Sequence, residues 1–231
     1  MGADPDTRPT DARFHRAVTV SPLHGYEDRA ERDLRALTTW LRRYVSRPHP
    51  KLGRKGPICP FVPVALNAEA VGYHLQYEIT GKDPDELREV LAHHLQRLPV
   101  TGTTWQGASL DSLIVALPDL VQEGWEALDE AHARLKDFAV ERGLMIGQFH
   151  PGCDERSVRN DGFSVSRSPI PLLAVRHMAS HDILFLHERP HWFAAYRSRF
   201  HAHHAHGRIR DPLMLELFAA AERRRMPWRE A

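Results

Sequence analysis

The feature that most constrains this chain is a repeated change of hydrophobic period. Val71, Tyr73, Leu75, Tyr77 and Ile79 recur at every second position, which is the spacing of a half-buried strand. Asp83-Pro84 then offers an N-cap and a proline at the first helical position. Beyond it, Leu87, Val90, Leu91, His94, Leu95 and Leu98 fall on one face of a helix. The change then repeats. Residues 110–117 read as a strand that Pro118 ends, and residues 119–142 as a long amphipathic helix with Leu120, Val121, Trp125, Leu128, Leu135 and Phe138 toward the core. Gly143 stands where a left-handed C′ residue is expected, and residues 144–149 read as the next strand.

Upstream, a helix is predicted from Asp28. It carries Leu34, Leu37, Trp40, Leu41, Tyr44 and Val45 on one stripe and is ended by Pro48 and Pro50. The irregular stretch 47–63 is rich in glycine and proline and is expected to re-enter the core at Cys59-Pro60-Phe61. Downstream come a polar loop at 151–162, two short apolar runs at 172–175 and 183–186, and helical patterns at 190–203 and 211–224. Residues 1–27 read as a flexible leader. The elements do not follow a strict strand–helix–strand repeat. The expected fold is therefore α+β, a mixed sheet of about five short strands against roughly four to five helices, in a single domain over 28–231.

Composition narrows the partners. The chain has 231 residues, with 31 Lys+Arg against 30 Asp+Glu, so no net field calls for nucleic acid or an anionic membrane. Residues 1–20 contain no apolar signal core, and no stretch has the length needed to span a bilayer. A cytoplasmic location is expected, with Cys59 and Cys153 as free thiols. Oligomeric state is left open.

Sixteen histidines are the main compositional clue. His150 follows the strand 144–149, and Pro151 restricts it to extended geometry. A histidine on the end of a rigid element, opening into a loop, suits a metal or haem ligand. Arg156 and Arg159, just beyond, suit a carboxylate or a propionate. On spacing alone the segment reads first as a His-Pro turn with solvated arginines. Cys59 is a thiolate candidate, but reads more readily as a core residue lining a pocket. Arg208 and Arg210 flank Ile209 before Asp211-Pro212, and fit either an anion clamp or a charged helix entry. Among His177, His181, His187 and His191, His187 is the first choice for a second ligand or an acid–base group, because it follows an apolar run. The tract His201, His203, His204, His206 reads as solvent-facing. GxGxxG, P-loop, HExxH, GxSxG and CxxC signatures are absent.

The order of these motifs resembles an uncharacterised actinobacterial domain family and, more remotely, the YqcI/YcgG-like haem-dependent N-oxygenases. The motifs are the Cys59-Pro60-Phe61 loop, Phe149-His150-Pro151, Arg156 and Arg159, the run Leu184-Phe185-Leu186, and Arg208-Ile209-Arg210-Asp211. The resemblance spans roughly residues 47–222 by motif order. This chain has Leu186 where that family has asparagine, and a shortened arginine–aspartate segment. The resemblance implies a haem b cofactor with His150 as proximal ligand, and Arg156 and Arg159 near the propionates or a substrate carboxylate. It also implies N-hydroxylation of an amino acid or related small amine, with an external electron donor or peroxide as partner. Two other readings stand beside it: a non-haem metal-binding enzyme, and a non-catalytic module that binds a small molecule.

Overall fold

The molecule is described here by a computed structural model covering residues 18–22, 25–98, 104–105 and 108–225. Its strands are β1 (Val18–Ser21), β2 (Val71–Gln76), β3 (Thr104–Trp105), β4 (Ala108–Ser109), β5 (Ser112–Ala116), β6 (Leu144–Phe149), β7 (Arg156–Ser157), β8 (Asn160–Ser164) and β9 (Leu172–His177). Five of them form one sheet in the order β1-β2-β5-β9-β6, while β3 pairs with β4 and β7 with β8. The sheet is mixed: β1, β2 and β5 run parallel, and β9 runs antiparallel to both β5 and β6. The helices are α1 (Glu27–Trp40), α2 (Phe61–Asn67), α3 (Pro84–Leu95), α4 (Trp125–Glu141), α5 (Ile183–Leu186), α6 (Pro190–Ala205) and α7 (Pro212–Arg225). The chain is a single α+β domain, as expected, with more helices than the sequence pattern announces.

Strand alternation sorts the core. Leu113, Val115, Ile146, Leu173 and Val175 face α3 and α4, whereas Tyr73, Leu75, Ile114, Ala116 and Leu172 face α1. Both faces are covered, which is why β5 is buried at every position. A third cluster joins Val140 and Met145 to Ile183, Phe193, Tyr196 and Phe200 of α5 and α6. Among the described residues no helix is long and apolar enough to cross a membrane.

Several boundaries differ from the sequence reading, each for a local reason. The strand expected over 71–79 stops at Gln76, because Glu78 adopts a positive φ of 68°. Its amide donates to Asp119 Oδ2 at 2.8 Å. The helix expected from 119 begins at Trp125, after a 3-10 turn at Gln122–Gly124. There Gly124 packs against Gly81 so closely that a Cβ on Gly81 would lie 2.8 Å from Gly124 Cα. Within the expected leader, Val18–Ser21 forms the parallel edge strand β1, and helix α1 already begins at Glu27. Residues 1–17 lie outside the described residues. The expected loop at 151–162 gives way to the β7–β8 hairpin, which runs on to Ser164, and the apolar run 183–186 is the helical turn α5.

Candidate metal centre

His150 is the first residue beyond β6, and the alternation through Ile146 and Gln148 turns its side chain toward α4. It is 4% exposed. Two residues one turn apart on α4 meet it. The Trp125 indole lies 4.9 Å from the imidazole, centroid to centroid, tilted by 34°. Asp129 places its two carboxylate oxygens 3.3 and 3.4 Å from Nε2.

The chain then turns tightly, with the Cys153 amide donating to the His150 carbonyl at 3.1 Å. This turn brings the 2%-exposed Cys153 back under the histidine. Gly152 permits it, since a Cβ there would sit 2.5 Å from Trp125 Cζ3. One ligand-capable atom each from Asp129, His150 and Cys153 lies within 4.8 Å of the others, the one such group of three among the described residues.

The electrostatics are unusual for a purely structural cluster. His150 Nδ1, Asp129 Oδ1 and Trp125 Nε1 are all buried without a hydrogen-bond partner, although buried polar atoms are nearly always satisfied. Burial pushes the Cys153 thiol above its ordinary range, and the nearby Asp129, Glu155 and Asp154 carboxylates push the same way. Asp129 keeps its side chain 45% exposed, so the cluster has one solvent-facing side.

The other predicted residues lie elsewhere. Pro151 and Arg156 are exposed. Arg159 pairs with Asp211 at 2.7 Å and ties the β7–β8 hairpin to the entry of α7. Arg208 and Arg210 are exposed on either side of the buried Ile209. Cys59 is a half-buried free thiol beside the Phe61 cluster, on the α1 side of the sheet. His187 has Nδ1 3.1 Å from the Ile183 carbonyl, closing α5. Apart from Pro151, its neighbour in the chain, none of these side chains pairs with the His150 ring, which meets Asp129 and Trp125.

Asp129 was not picked out by the sequence reading, although its four-residue spacing from Trp125 places both on one helical face. The signal for Cys153 is the His150-x-x-Cys153 spacing, which a tight turn makes into a ligand pair.

No curated protein and no solved structure matches the chain. One family model does, over residues 34–211, a span that contains Asp129, His150 and Cys153. The chain belongs to that family, which is described as a domain of unknown function, DUF6875.

Proposed function

We propose that the chain is a non-haem metalloprotein that holds one transition-metal ion of the zinc type on Asp129, His150 and Cys153, with metal-dependent chemistry at the open position. One observation carries the reading: three different metal-ligating side chains converge at one point, where Asp129 Oδ1 and His150 Nδ1 are buried without a hydrogen-bond partner. The spacing fits. An ion with nitrogen and oxygen ligands at about 2.0–2.2 Å in tetrahedral geometry sets those ligands roughly 3.3–3.5 Å apart. His150 Nε2 and Asp129 Oδ1 are 3.3 Å apart, whereas a good charge-assisted hydrogen bond would draw them in to about 2.7–2.9 Å. A mixed sulfur, nitrogen and oxygen donor set suits zinc or iron(II) over magnesium or calcium. Three protein ligands with an exposed side match a catalytic ion more closely than a closed structural one. There the ion would supply Lewis-acid activation of water or of a bound oxygen.

A nucleophilic Cys153–His150–Asp129 arrangement is less well supported. Reactive thiols sit in partly exposed positions, and Cys153 is 2% exposed. The haem-dependent N-oxygenase reading rests on motif order and on the same histidine. A porphyrin requires an open approach to a ring nitrogen, whereas here Nε2 faces Asp129 and the ring lies against Trp125.

Elemental analysis and an absorption spectrum of the tag-free protein test the reading. About one equivalent of zinc or iron is expected. It should be lost in His150→Ala and Cys153→Ser and kept when the four histidines of 201–206 are replaced, with no Soret band. A metal-free protein that also takes up no added zinc or iron(II) would refute the proposal. A Soret band abolished by His150→Ala would establish the haem reading in its place.

A further inference from the structure

The sheet carries a second polar concavity, on the α3 side of β2. A cavity of about 300 Å³ is lined by Ser21 and by His74 and Gln76 of β2. Glu89, His93, His94 and Arg97 complete it from α3 and the residues just after it. Glu89, His93 and Arg97 are spaced four residues apart, so they form one row on the helix surface.

His74 is fixed. Gln76 Oε1 lies 3.2 Å from Nε2 and accepts its proton, which leaves Nδ1 to accept from the Thr19 hydroxyl. His94 is not fixed. It is 6% exposed, its ring lies 4.1 Å from His74 and 5.6 Å from His93, and among the described residues no hydrogen bond reaches either of its nitrogens. A largely buried imidazole with no protein partner, at the wall of a cavity, presents its polar edge to whatever fills that cavity. His74, His93 and Arg97 all repel added positive charge on His94.

We infer that this cavity is a binding site for a small organic monoanion, its carboxylate held by Arg97, His93 and His94. An arginine fork matches one carboxylate, and the volume lies at the lower end of small-molecule sites. Glu89 in the same wall opposes a doubly charged phosphate. The site is separate from the metal centre and does not depend on it.

The test is NMR of the full chain, following the imidazole Cε1–Hε1 signals of His74, His93 and His94 during titration with sodium butyrate, with sodium chloride as the control. Saturable shifts at His94 are expected with butyrate alone. The midpoint should rise at least tenfold in Arg97→Gln and fall in Glu89→Gln, both positions being exposed and both variants keeping the wild-type circular dichroism. Equal responses to butyrate and chloride, or a midpoint unchanged in Arg97→Gln, would overturn the inference. Tighter binding of inorganic phosphate than of butyrate would overturn the monoanion assignment.

Discussion

Replacing Asp182 by alanine exposes how much of the fold hangs on one buried ion pair. Asp182 is 0% exposed and takes both prongs of the Arg176 guanidinium, at 2.6 and 2.7 Å. It also accepts the Ala179 amide at 2.7 Å. Burial alone would raise its carboxyl pKa. The Arg176 guanidinium and His181 outweigh that and hold the group below the usual carboxylate range. Arg176 comes from the end of β9, with its guanidinium 5.1 Å from the Phe61 ring centroid, so the pair links the sheet, α2 and the entry of α5.

Removing the acid leaves a guanidinium that cannot shed its charge, in a site with 16% side-chain exposure. Breaking a buried pair from one side costs about 3–5 kcal/mol, or roughly 6–20 °C in Tm for a chain of this size. The double variant Asp182→Ala/Arg176→Met removes the stranded charge. It should recover at least about 1 kcal/mol relative to Asp182→Ala. Urea and thermal unfolding followed by circular dichroism measure both. A single variant within about 1 kcal/mol of wild type, or a double variant less stable than the single, would refute the assignment of the cost to an orphaned charge.

Three further outcomes follow from the same contacts. Gly152→Ala forces a Cβ to 2.5 Å from Trp125, so thermal unfolding should show a loss of about 1–3 kcal/mol, and Trp125 fluorescence should change. His132 is held neutral, its pKa pushed down to about 4 by burial and by Lys136, with Nε2 3.3 Å from the Ile146 carbonyl. In the unfolded chain it takes up a proton near 6.5, so its contribution is complete above about pH 6.5, falls as pH drops toward 4 and is flat below. The difference in urea midpoint between wild type and His132→Gln should therefore vary between pH 6.5 and 4 and not above. Asp211 both pairs with Arg159 and accepts the Met214 amide at the start of α7. Asp211→Ala should cost about 1–2 kcal/mol by thermal unfolding, and Asp211→Asn, which keeps the cap, under about 1 kcal/mol.

What could be read in the sequence was whatever local chemistry decides. Asp83 accepts the Asp85 and Glu86 amides as an N-cap should, and Gly143 has the positive φ of a C′ residue. The strand at 144–149 and the helix face of Leu87, Leu91 and Leu95 stand as their periods indicate. What could not be read depends on partners distant in the chain. Four residues at 18–21 become a strand because β2 offers them an edge, and residues 119–124 are kept out of α4 by the Gly81–Gly124 contact. The same division holds at the site. His150 was visible because a rigid strand ends beside it. Asp129 was not, because a carboxylate in mid-helix has the signature of surface charge until a strand end is laid against it.

The register of the sheet explains why both polar sites lie where they do. Leu75 pairs with Ala116, Ala116 with Leu172, and Leu172 with Phe149. All but the half-buried Phe149 are fully buried, so this row closes the apolar body of the sheet. Gln76 and His150 are each one residue beyond it, on the α3 and α4 face, three strand spacings or roughly 14 Å apart. Just beyond it the backbone is free to turn, as at 150–153 and at Glu78. Polar side chains there are still held by the sheet, while solvent or a ligand can reach them. That combination of a fixed anchor and an open side is what binding chemistry requires. It is met at the ends of β2 and β6 for the same geometric reason, with His150 and its neighbours on one edge and the His94 cavity toward the other.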